Sequence, residues 1–252
     1  MMKIAVCIKR VPDTEMRFTI AADGKSVDTA GLKFEISTFD EYAVEAALRL
    51  ADTNPGSTVT VVGLGPAELG EQLRRTLSMG ADQALHLKTD VVPYDNLAIA
   101  KALATGLRDG EFDLILFGRN ATDTGSGAVG PMTAALLGLP VVTSVSEMTI
   151  AGSSGTARRE LEGATESVTF PLPAVVSVDE GLGRPRIPSM KGIMAAKKKP
   201  LEERPAELGP IALTLESLAP PPDRPPGRIV GEGAAAVPAL IAALRDEAKV
   251  FS

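Results

Sequence analysis

From Lys3 to Val145 the chain alternates short apolar runs with amphipathic stretches, and few folds accommodate that alternation. Lys3–Ile8 (KIAVCI), Thr58–Val62 (TVTVV), Gln83–Leu87, Asp113–Phe117 (DLILF) and Val141–Val145 read as buried strands. Between them lie helical patterns. Phe39–Ala51 carries Val44, Ala47, Leu48 and Ala51 on one stripe, and Thr38 and Glu41 have capping-box spacing at its start, with Asp40 as a rival cap. A second helix is expected to open at Gly65-Pro66 and to stop at Gly80. A third spans Asp95–Leu107, and a fourth spans Ala128–Leu137. Strands alternating with helices at this spacing build βαβ units. The expected fold class is α/β: a doubly wound, mostly parallel, Rossmann-like sheet with strand order 3-2-1-4-5. The order would reverse between the first and fourth strands. A ligand crevice is then expected beyond Cys7–Arg10 and from Gly118 onwards.

The pattern changes after residue 150. Ala151–Gly155 reads as a turn, Thr156–Glu162 and Ser167–Phe170 as a hairpin around Gly163, and Pro173–Val178 (PAVVSV) as another buried strand. From Gly181 the periodicity fades. Pro220-Pro221-Pro222 and Pro225-Pro226 exclude helix and central strand, so Leu201–Gly233 reads as an extended arm. Ala234–Lys249 regains helical periodicity. Two regions follow: an α/β nucleotide-binding domain at 1–200 and an arm with a terminal helix at 201–252. An irregular arm of this length cannot stabilise itself, so it is expected to lie on another subunit; a disordered linker is the alternative.

Composition removes whole classes of function. A formal charge of −6 argues against a general nucleic-acid binder. One Cys and one His permit neither a disulfide framework nor a Cys/His zinc site. No run approaches the roughly 18 apolar residues of a membrane span. The start, MMKIAVCIKR, holds no apolar run of signal-peptide length, so a cytoplasmic, reduced protein is expected.

The loop Gly118–Gly130 (GRNATDTGSGAVG) is the main candidate site. Gly125, Gly127 and Gly130 fit G-x-G-x-x-G, but about seven residues separate this run from its strand, so the match reads as accidental for nicotinamide binding. Small residues before a helix still let backbone N–H groups approach an anion. Cys7 and His86 read as structural, and Lys197-Lys198-Lys199 as a solvated face. Pro185–Met194 (PRIPSMKGIM) holds apolar side chains that neither sheet nor helix would easily hide, which points to a contact site; folding back onto the domain is the alternative. The residues alone describe an α/β protein that binds a nucleotide. They show no catalytic machinery, and both a self-contained nucleotide-binding enzyme and a nucleotide-sensing module stay open at this point.

Four collinear stretches carry a resemblance: Lys9–Asp13 (KRVPD), Phe39–Leu50 (FDEYAVEAALRL), Ser78–Asp82 (SMGAD) and Pro171–Pro200. Over residues 1–200 the chain resembles the beta (small) subunits of electron-transfer flavoproteins. The resemblance implies a non-enzymatic electron carrier in a heterodimer with an alpha subunit that holds most of a shared FAD. It implies electron shuttling from flavin-containing dehydrogenases to an acceptor such as a quinone oxidoreductase, with a structural AMP in this subunit. Nucleotide contacts would fall on Cys7, on Ser37, Thr38, Phe39 and Asp40, and on Leu64. In the loop they would fall on Gly118, Arg119, Asn120, Ala121, Thr122, Asp123, Thr124, Gly125, Ser126, Gly127, Ala128 and Val129. The dehydrogenase-recognition segment would comprise Ile187, Pro188, Ser189, Met190, Lys191, Gly192, Ile193, Met194, Ala195 and Ala196, with Met190 as apolar anchor. Many relatives have Asn-Pro at Ser37-Thr38. The loop also carries half of the signature of electron-bifurcating relatives, Gly118-Arg119, Asp123 and Val129-Gly130-Pro131, which would imply a second FAD in place of AMP.

Overall fold

The computed structural model describes residues 1–224 and 226–251; Pro225, of the Pro225-Pro226 pair, and Ser252 lie outside the described residues. Eleven strands and six α-helices follow in the order β1 (Lys3–Ile8), β2 (Arg10–Pro12), β3 (Phe34–Ile36), α1 (Thr38–Thr53), β4 (Thr58–Gly65), α2 (Leu69–Met79), β5 (Gln83–Lys88), α3 (Asn96–Arg108), β6 (Leu114–Gly118), α4 (Val129–Leu137), β7 (Val141–Ala151), β8 (Ser154–Leu161), β9 (Ala164–Pro171), β10 (Ala174–Val178), α5 (Met190–Ala196), β11 (Leu201–Pro205) and α6 (Val237–Ala242). Nine strands form one sheet in the order β11-β5-β4-β1-β6-β10-β7-β8-β9. From β11 to β7 every pairing is parallel; β8 and β9 extend the sheet as an antiparallel hairpin.

Alternation along β1 explains the double winding. Ile4, Val6 and Ile8 face a core shared with Val44 and Leu48 of α1 and Leu69, Leu73 and Leu77 of α2. Ala5 and Cys7 face the other core, with Leu103 and Leu107 of α3 and Ala134 of α4. Successive strand residues point to opposite faces, so one apolar run feeds both layers. The three leucines of α2 recur every four residues and are fully buried, each contributing about 2 kcal/mol.

The expected order 3-2-1-4-5 needs one correction: β10 enters between the fourth and fifth of those strands. All five β10 residues are buried, whereas β7 alternates toward solvent, so β10 belongs inside the sheet. The second helix starts later than expected. Gly65 still pairs with Lys88 as the last β4 residue, and Pro66 accepts the Leu69 N–H in the intervening turn.

The arm was expected to leave the domain at residue 201. Instead Leu201–Pro205 pairs with Ala84–Lys88 as an edge strand, where a strand needs partners on one side only and Pro205 can end it. The compact unit therefore runs from Met1 to Ser217, and Leu218–Ser252 forms a second unit. Within that second unit the expected helix at 234–249 is broken. A 3₁₀ turn at Ala234–Ala236 leads into α6, and a wider π turn occupies Ala243–Glu247. Pro238 fits the first turn of α6, where its missing N–H has no helical partner to lose.

Candidate functional site

Pairing between β1 and β6 stops at Val6 and Leu116, and beyond that point the two strands part. Asp40, in the first turn of α1, fills the split. One carboxylate oxygen accepts the Lys9 N–H at 2.8 Å, and the other accepts the Gly118 N–H at 3.0 Å. The side chain thus staples the carboxyl ends of the two strands. Burial pushes its pKa up to about 7, against the pull of those two N–H groups. A Cβ at Gly118 would strike the Asp40 carboxylate and stand 2.7 Å from the Asp40 nitrogen, so only glycine fits there.

On the α3/α4 side of this split lies a slot. Its space, open solvent at the mouth included, is about 680 Å³. Cys7, Leu64 and Phe117 form its floor at the strand ends, and Ile99 and Leu103 of α3 form one wall. Loop residues Gly118, Arg119, Asn120, Ala121, Thr124, Ser126, Gly127 and Ala128, with Val129 and Gly130 of α4, form the other. Gly127 takes φ +60°, and a Cβ there would approach the Arg119 carbonyl oxygen at 3.1 Å. The apolar floor suits a flat ring. The start of α4 brings helical N–H groups and partial positive charge to the rim. Cys7 is buried, and its thiol pKa is raised by that burial and by the Asp40 carboxylate, so it packs as a small hydrophobe. Among the described residues no three His, Cys, Asp or Glu side chains gather as a metal site.

Six of the expected contacts do not line the slot: Ser37, Thr38, Phe39, Thr122, Asp123 and Gly125. Several of them shape the loop instead. The Ser37 hydroxyl accepts the Thr122 N–H at 3.3 Å, the Asp123 carboxylate pairs with Lys9 at 2.7 Å, and the Gly125 N–H donates to the Ala121 carbonyl at 2.8 Å. Phe39 lies under the Arg119 guanidinium at 4.7 Å, while Arg119 pairs with Asp179 at 2.8 Å. Thr38 begins α1, and no side chain caps it, so neither expected cap operates. Sequence reasoning placed the strand end Cys7–Arg10 at the crevice without singling out Lys9, and it missed the α3 wall. Ile99 and Leu103 stand four residues apart on a helical stripe, and such a stripe reads as core whether or not a ligand abuts it. His86 is indeed remote: it is fully buried in β5, with Nε2 3.0 Å from the Gly65 carbonyl oxygen.

The second expected site, 187–196, departs from an irregular loop. Met190–Ala196 is a helix, and the Ser189 hydroxyl caps it by accepting the Gly192 N–H at 3.1 Å. Ile187, Met190 and Met194 are 89%, 76% and 67% exposed. Ile193, Pro188 and the buried Ala196 line a groove against Arg74, Arg75 and Ser78 of α2. Of the lysine run, Lys199 is not a solvated cation. Its ammonium donates to the Leu77, Gly80 and Ala81 carbonyl oxygens at the end of α2.

A doubly wound sheet with an apolar slot at its switch point, roofed by a small-residue loop that runs into a helix, defines an α/β protein built to hold a ligand at its strand ends. Residues 25–208 match the family described as Electron transfer flavoprotein domain. Proteins named electron transfer flavoprotein subunit beta are similar along their whole length. That of Bacillus subtilis is 40% identical over 99% of this chain and 100% of the relative, and that of Bradyrhizobium diazoefficiens is 37% identical over the same shares. That of Homo sapiens is 33% identical over 99% of each. The chain belongs to the family of electron transfer flavoprotein beta subunits. That family is one of electron-transfer subunits. No described helix is long and apolar enough to cross a membrane.

Proposed function

We propose that this chain is the smaller subunit of a heterodimeric electron carrier and that the slot at the carboxyl ends of β1 and β6 holds AMP. The slot itself carries the proposal. Its apolar floor of Cys7, Leu64 and Phe117 would take the adenine, and the loop before α4 would present N–H groups to the phosphate. Two cations at the rim, Lys9 and Arg119, are already paired with Asp123 and Asp179, which favours a ligand of low charge. The redox chemistry would come from FAD held mainly by the alpha subunit, and this chain would position the carrier against its partners. Electrons would enter from flavin-containing dehydrogenases docked on residues 187–196 and leave to an acceptor such as a quinone oxidoreductase. A reducing compartment such as the cytoplasm suits the buried thiol of Cys7.

Co-expression with an alpha subunit, followed by denaturation and chromatography of the released nucleotides, tests this. One AMP and one FAD per heterodimer is the expected result. Two FAD would replace AMP with a second flavin and favour an electron-bifurcating carrier, the reading that Gly118-Arg119, Asp123 and Val129-Gly130-Pro131 support. No nucleotide at all would remove the slot as a site.

A further inference from the structure

Met190 and Met194, exposed apolar residues of 187–196, sit on a short helix that cannot hold its place unaided, because isolated helices of one or two turns do not persist in water. Besides its packing on α2, polar contacts at its two ends hold this one. At the near end the Glu45 carboxylate, buried in α1, accepts the Arg186 backbone N–H at 3.1 Å, Arg186 Nε at 2.9 Å and a terminal Arg186 nitrogen at 3.3 Å. It also accepts Arg49 Nε at 2.8 Å. Burial alone would raise the Glu45 pKa, but these donors outweigh it and hold the carboxyl below its ordinary value, so it stays charged. Arg186 reaches past Glu45 to Asp52 at 2.9 Å. At the far end one Arg74 nitrogen donates to the Ala196 and Lys199 carbonyl oxygens, each at 2.8 Å. Between the clamps Gly192 lies so close to the Ser78 carbonyl oxygen that any Cβ would collide with it.

We infer that Glu45 and Arg186 are positioning residues for partner docking, setting the helix that presents Met190 and Met194 before any partner arrives. This rests on the proposed docking role of 187–196. Both residues lie outside that segment, and the clamp removes ordering cost that docking would otherwise have to supply. The clamp also accounts for how apolar side chains can stand exposed at fixed positions.

The test uses the flavin-loaded heterodimer and a purified flavin-containing dehydrogenase that reduces the wild-type carrier. Arg186→Met, with Glu45→Gln as the milder variant, should raise the KM for the carrier roughly tenfold with kcat unchanged. Amide hydrogen exchange should quicken across 187–196 while α1 stays protected. Met190→Ala should also raise KM, and adding Arg186→Met to it should raise KM little further, because the clamp acts through the anchor. If Met190→Ala leaves KM unchanged, the docking role itself is wrong. If Met190→Ala raises KM and Arg186→Met does not, docking stands and the clamp inference falls. A loss of flavin or of α1 protection in both clamp variants would make the pair merely structural and overturn the inference as well.

Discussion

Two aspartates in this chain titrate in opposite senses. Asp40 is buried between β1 and β6 with its pKa raised to about 7. The folded state binds that proton more tightly than the unfolded chain does, so stability falls as pH rises from about 4 to about 7. Asp95 is the reverse. Its carboxylate accepts the Ala212 and Leu213 N–H groups at 2.7 and 3.1 Å, besides the Leu97 and Ala98 N–H groups of α3, and these bonds lower its pKa from 3.8. Its contribution is present above that value and disappears as pH falls through the lowered one. Denaturant midpoints measured across pH 4–8 should therefore slope less in Asp40→Asn than in the parent chain, whereas Asp95→Asn should change the pH slope only in a scan carried below about pH 4. At the slot, Gly127→Val combines a strained positive φ with crowding of the Arg119 carbonyl oxygen. AMP released on denaturation should fall severalfold while the circular dichroism spectrum is kept. Full AMP retention would remove the loop from the site. Asp40 was legible as a residue near the crevice, but not as a staple. Its neighbours in sequence mark a helix start, and only the parting of β1 and β6 makes its carboxylate the link between them.

At the level of elements, α3 shows how one cap serves two structures. Asp95 closes the first turn of α3 and fixes the chain after β11 against it. Asp95→Ala should lower the Tm by roughly 2–8 °C, the effect of a lost cap plus its further bonds in a chain of this size. Calorimetry would measure it, and an unchanged Tm would mean that water replaces the carboxylate in full. Most elements of the first 150 residues could be read to within a few positions, because buried strands and amphipathic helices carry their period in composition. The strands β10 and β11 show the limit. Both were open to inspection, yet sheet order depends on which strand buries both faces, and PAVVSV announces burial without announcing its neighbours. Leu201–Pro205 (LEERP) carries no apolar period at all; backbone pairing with β5 makes it a strand. Helix α5 was hidden for a similar reason, since its apolar residues face outward.

For the molecule as a whole, the boundary at Ser217 changes where the chain can be cut. Removing residues from 201 onward would strip β11 from β5 and expose a sheet edge. Removing 218–252 leaves that edge covered. The shortened chain should keep its thermal transition and its AMP but lose affinity for the alpha subunit, and flavin content should fall with it. Size-exclusion chromatography with absorbance at the flavin band reads both. Undiminished heterodimer would mean that the last 35 residues contribute nothing to assembly.

The place of β10 bears on how the chain reaches this arrangement. Synthesis runs from the N-terminus, so β6 and β7 are available before β10 exists. Meanwhile β6 offers a bare apolar edge, and β7, with Val141 and Val142 at its start, is the nearest strand able to cover it. If β7 paired directly with β6 first, that simple order would be a kinetic trap, and β10 would then have to part the two strands to take its central position. Such late, long-range insertion is slow and leaves strand edges open to other chains. In refolding monitored by pulsed hydrogen exchange, amides of β1 and β4 should gain protection early, and those of β10 last. Dilution should raise the recovered yield, because the intermediate with β6 and β7 mispaired would associate with its own copies.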